Sequence, residues 1–201
     1  MSRWASLVLA LLFALSLTAG ARARSSVESV FADIDAYWAA TFAEAGIGYY
    51  SPLVAVVDGV LETGCGPIDP SFGPGAYCAL DQTLYFAPSW FGNLDFAAEN
   101  AAFLLVMSHE WSHHIQVLLG ISDISILEPQ ADCLSGVYLA NAEERGLVSP
   151  GDLAQALRIV NSAGDVPWLD PGAFPHGPGT LRSIAFMGGQ SGGLEGCGLV
   201  F

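Results

Sequence analysis

The sequence contains no lysine. Its six positive residues are all arginines, set against 20 acidic residues, for a net charge of −14 at pH 7. So acidic a chain repels phosphate backbones and anionic headgroups, which excludes nucleic-acid binding as a main role; solubility is the plainer consequence of the charge. Charged residues of both signs make up only 13% of the chain and hydrophobic ones 52%, ample for a core in 201 residues and too apolar for extended disorder. The apolar run from Trp4 to Leu17 falls short of the roughly 20 residues that cross a bilayer as a helix. With Arg3 before it and Ala21-Arg22-Ala23 behind it as a small-x-small cleavage site, it reads as a secretory signal peptide over residues 1–23. A mature chain starting near Arg24 is then expected in the periplasm or outside the cell, with no stable membrane insertion. There is no internal repeat and no sign of a second domain, so residues 24–201 read as one.

Cysteine is equally sparse, with four in all. In an exported chain they are expected to pair, because the compartment is oxidising. Cys65 and Cys78 flank the Gly/Pro-rich "CGPIDPSFGPGAYC", a loop that closes easily, which would leave Cys133 for Cys197. Four cysteines allow three connectivities, and spacing alone does not choose among them.

The hydrophobic pattern is mainly helical, with a little strand. Residues 26–46 place Val27, Val30, Phe31, Ile34, Trp38 and Phe42 at helical spacing until Gly46. "LVAVVDG" and "TLYFAP" are β-branched or aromatic runs bounded by turn residues, which predicts a small sheet around the first cysteine loop. A central, largely buried helix is predicted from Asp95 to Leu119. A third is predicted from Glu128 to Arg145, where Pro129 is acceptable only in the first turn. A fourth starts at "SPGD", with Ser149 as cap, Pro150 in the first helical position and Asp152 completing a capping-box arrangement. After Gly164 the Gly- and Pro-rich sequence reads as loops. The fold class is therefore α+β, helix-dominated with a small β-sheet.

Only four histidines are present, and three stand within "SHEWSHHIQ". His109 and His113 lie one helical turn apart on one face, with Glu110 beside it. In this H-E-x-x-H arrangement two neutral histidines hold Zn²⁺ and the glutamate takes a proton from water. A polar stripe on a surface helix explains it poorly, because "NAAFLLVM" and "IQVLLG" flank it. Burying these side chains is unfavourable by several kcal/mol unless they have partners, which a metal supplies. A site with one position left open needs a third ligand. Downstream, "EPQADC" puts Glu128 and Asp132 one turn apart; Glu128 is the candidate third ligand and Asp132 the candidate acceptor for the spare ring N–H of a ligating histidine. For the pair alone, an acidic helix N-terminus would be the simpler reading. His114 points about 100° away from His113 and is assigned a hydrogen-bonded structural role. His176, in "FPHGPG", is either a turn residue or a donor to a developing oxyanion, with Arg182 in support.

"HEWSHHIQ", "EPQADC", the cysteine-bracketed "CGPIDPSFGPGAYC" and the later "PHGPGTLRS" together resemble the neutral zinc metallopeptidase family of bacteria, in the same order over roughly Leu53 to Cys197. The resemblance implies a zincin-like fold and one zinc per chain held by His109, His113 and Glu128. It also implies Glu110 as general base, a Cys133–Cys197 pairing, and hydrolysis of peptide bonds in a peptide or protein substrate. The rival reading is an exported zinc-binding or protein-interaction module without turnover.

Overall fold

In the computed structural model, residues 26–92, 94, 100–163 and 176–200 are described; the expected signal peptide lies outside them. Ser26 opens the first helix, its Oγ accepting the Ser29 N–H. This helix, α1 (Val27–Glu44), buries Val30, Ile34, Trp38 and Phe42 along one stripe. Five short strands follow: β1 (Leu53–Val56), β2 (Leu61–Thr63), β3 (Gly66–Ile68), β4 (Gly75–Cys78) and β5 (Thr83–Phe86). β5 is the middle strand of a three-stranded sheet, parallel to β1 and antiparallel to β4, while β2 and β3 form a separate hairpin. Leu84 and Phe86 of β5 join the main core, and Tyr85, on the opposite face, packs in a smaller cluster with Val57 and Cys78.

The central helix, α2 (Ala101–Leu118), starts six residues later than its composition suggests. Asn100 is extended (φ −96°, ψ 95°) and its Oδ1 caps the Phe103 N–H, which sets the start at Ala101; residues 95–99 of the predicted helix lie outside the described residues. Phe103, Leu104, Met107, Trp111 and Ile115 of α2 are almost fully buried with Trp38 and Phe42 of α1 and Leu134 and Tyr138 of the next helix, α3 (Leu127–Glu144). Pro129 sits in the first turn of α3. α4 (Pro150–Ser162) opens with the expected capping box between Ser149 and Asp152.

The C-terminal region differs from its expected loops: Gly179–Gly196 is a helix, α5, interrupted at Gly193 (φ 58°). Where α5 meets α3, glycines on both helices allow close approach. A Cβ on Gly189 would overlap the Cys133 carbonyl of α3, and one on Gly136 of α3 would overlap the Phe186 carbonyl of α5. The Cys133–Cys197 disulfide ties the end of α5 to α3, and Cys65–Cys78 ties the β2–β3 turn to β4. No helix among the described residues is long and apolar enough to cross a membrane.

Candidate metal centre

α2 presents His109 and His113 on one face, their rings 4.9 Å apart and nearly perpendicular. Glu128, in the first turn of α3, meets both: its Oε2 lies 3.2 Å from His109 Nε2 and its Oε1 3.5 Å from His113 Nε2. Because Pro129 stays within the first turn of α3, Glu128 needs no longer helix to reach this point.

The far side of each ring determines what these nitrogens can do. His109 Nδ1 lies 3.0 Å from Asp132 Oδ1, and an ionised carboxylate only accepts, so Nδ1 carries the proton. His113 Nδ1 lies 2.8 Å from Gln116 Oε1. The Gln116 amide cannot turn round, since its Nε2 donates to the Leu127 carbonyl at 2.7 Å and to Gln130 Oε1 at 3.2 Å. In their neutral form both rings therefore point an Nε2 lone pair at the Glu128 carboxylate. With no proton on His109 Nε2, Glu128 Oε2 is buried without a hydrogen-bond partner. Acceptors from all three residues lie within 4.8 Å of one another. Three acceptors facing each other repel unless a cation stands between them, and an N,N,O donor set with an open fourth position suits zinc.

Without a metal, a proton meets the same demand. Burial works against charge on His109, but hydrogen bonds to Asp132 and Glu128 outweigh it and push its pKa up to about 10. Burial likewise disfavours charge on Glu128, and the two histidines override it, holding the carboxyl far below its ordinary range.

Asp132 is buried, and Arg182 of α5 grips it through Nε at 2.7 Å and Nη2 at 2.9 Å while Nη1 reaches the Ala163 carbonyl. Arg182 thus reaches the centre through Asp132. His114 is fully buried on another face of α2, with Nε2 2.7 Å from the Tyr50 carbonyl and Nδ1 2.8 Å from the Tyr77 hydroxyl. Since a carbonyl only accepts, Nε2 donates to it and Nδ1 accepts from Tyr77. Burial pushes the His114 pKa down.

A cavity of about 280 Å³ opens on His109 and Glu110. Its walls come from the Phe72–Gly75 segment, from Val106 of α2, from Val160 of α4, and from His176 and Arg182. His176 is thereby brought to the cleft as an exposed side chain. Sequence reasoning missed the anchoring role of Gln116, whose signal was its position three residues after His113, and missed the wall contributed by Phe72 to Gly75.

A family model described as "Putative neutral zinc metallopeptidase" matches residues 14–126. The match takes in His109, Glu110 and His113 and ends just before Glu128, so Glu128 rests on the geometry above. The Escherichia coli K12 protein YpfJ, named as uncharacterized, is 29% identical over 191 residues, covering 82% of this chain and 66% of that protein. A Mycobacterium tuberculosis H37Rv protein, Rv2575, also named as uncharacterized, is 30% identical over 185 residues, covering 75% of this chain and 62% of the relative. The chain thus spans a little under two thirds of the length of these relatives. No solved structure matches it.

Proposed function

The chain belongs to the family described as "Putative neutral zinc metallopeptidase", and from that membership we propose that it hydrolyses peptide bonds, with one zinc ion held by His109, His113 and Glu128. The observation that carries this reading is the convergence of two histidine lone pairs and a partnerless buried carboxylate oxygen beside an open cleft. Zinc bound there would supply Lewis acidity, making water acidic enough to ionise near neutral pH and polarising a carbonyl.

The remaining work falls to the chain's own groups. Glu110, one residue from His109 and on the cleft wall, accepts the proton of the attacking water and returns it to the leaving amine. Asp132 and Gln116 hold the two rings with Nδ1 protonated, so that both Nε2 atoms stay available. His176, on the same wall, donates to the oxyanion that develops on the attacked carbonyl. β4 is an edge strand of its sheet and starts at this wall, where an extended peptide can pair with it. A peptide or protein substrate, a single domain over residues 24–201, and export to the periplasm or medium complete the proposal; two disulfides support export.

Metal analysis beside a peptide-cleavage assay tests it. Wild type should hold one zinc per chain and His113→Ala none. Glu110→Gln should keep zinc and lose roughly 10²–10⁴-fold in turnover. Cleavage at the wild-type rate by Glu110→Gln would refute the assignment of the base. Loss of turnover with zinc retained in His176→Ala would support the oxyanion role, and unchanged turnover would remove it.

A further inference from the structure

The Phe72–Gly75 segment is a wall with two sides. Phe72, Gly73 and Gly75 line the metal-centre cleft and also a second cavity of about 250 Å³, walled by Val57, Ile68, Ala76 and Tyr85, with Asp69 among its lining residues. β4 shows how the two are separated. A Cβ on Gly75 would stand 3.0 Å from Val106 Cγ1 and 3.2 Å from Glu110 Cγ, and the Tyr77 hydroxyl bonds His114, so Gly75 and Tyr77 face α2. Ala76 therefore faces the other way, beside its cross-strand partner Tyr85, into the second cavity.

This cavity is preformed. The Cys65–Cys78 disulfide closes its loop, and Trp90 Nε1 donates to the Pro70 carbonyl at 2.6 Å. Asp81 Oδ2 accepts from both the Gly64 N–H, at 2.8 Å, and the Tyr85 hydroxyl, at 2.9 Å. Phe72, 88% exposed, stands on the ridge shared by both cavities, where the core makes no use of it. An extended peptide alternates its side chains as β4 does. Laid beside β4 with its backbone crossing the metal centre, it turns one side chain toward the apolar cavity.

We infer that the second cavity receives an apolar side chain of the peptide substrate, that Ala76 and Phe72 determine this preference, and that the Asp69 carboxylate rejects an acidic side chain there. The inference rests on the peptidase reading of the metal centre.

The test is a cleavage profile of the zinc-loaded full chain against a mixed peptide library, followed by kcat/KM for matched peptides carrying Leu, Ala or Glu at the favoured position. Wild type should show one position enriched in apolar residues and depleted in Asp and Glu, with Leu favoured over Ala by about tenfold or more. Ala76→Phe, which fills the cavity, should collapse that Leu-to-Ala ratio toward one. Phe72→Ala, at an exposed site where folding is safe, should lower the same ratio several-fold. Cleavage without an apolar position, or a ratio unmoved in both variants, overturns this inference and leaves the peptidase reading standing. Zinc-loaded wild type that cleaves no peptide overturns both.

Discussion

Two aspartates in this protein, Asp132 buried and Asp33 partly so, are gripped by an arginine fork, and their third partners make them different. Asp33 of α1 accepts from Arg145 Nη1 and Nη2 and from the Tyr138 hydroxyl, which closes the network on itself. Asp132 of α3 accepts from Arg182 Nε and Nη2 and from His109 Nδ1. Tyrosine ends a network with its single hydroxyl, whereas histidine carries a second nitrogen out of it. That nitrogen faces Glu128 and the cleft, so the same Asp–Arg fork is structural in one place and supports a metal centre in the other.

Breaking the open network should have the largest effect. Asp132→Ala leaves Arg182 buried without its carboxylate and should lower stability by about 3–5 kcal/mol, read by denaturant unfolding. It should also weaken zinc binding by roughly 10–100-fold in a competition titration. Gln116→Ala should bring a comparable fall in zinc affinity with little change in fold, because it frees the His113 ring without stranding a charge.

Titration sharpens the contrast. In metal-free protein His109 holds its proton to about pH 10. The stability this contributes is fully present below the ordinary histidine value of about 6.5 and is lost as pH rises toward 10. Zinc must displace that proton, so calorimetric titration near pH 8 should show release of about one proton per zinc, seen as an enthalpy that varies with the ionisation heat of the buffer. Asp33 behaves in the opposite sense. Burial opposes its charge, but Arg145 and Tyr138 prevail and hold its pKa below the usual value. Its contribution is present above about pH 4 and is lost as pH falls through the depressed value. Asp33→Asn should flatten that acid limb of the melting curve.

The smallest effect is expected from Arg145→Ala. The Arg145 side chain is 41% exposed, so its ion pair should be worth about 1 kcal/mol or less, with zinc content unchanged. A fall in zinc content in this variant would erase the distinction between the two networks.

Much of the architecture was legible because local rules governed it. The Ser149 capping box, the buried stripe of α1 and the tolerance of Pro129 in a first turn follow from side chains within a few residues of one another. α5 was not legible, because its Gly189 is selected by the neighbouring α3 rather than by the local chain. Local rules read such glycines as turns. At the centre, four-residue spacing places His109 and His113 on one face of α2, but spacing says nothing about which distant carboxylate meets them.

By itself, then, the sequence determined the helix-dominated class, the histidine pair with its adjacent glutamate, and the acidic, export-compatible composition, since each is a matter of residue identity and period. Only the tertiary structure decided that Arg182 closes on Asp132 from α5, that Gln116 orients His113 while anchored to α3, and that the Phe72–Gly75 segment stands between two cavities. Those relations join residues far apart in the chain. Packing brings them together, and no local propensity encodes them.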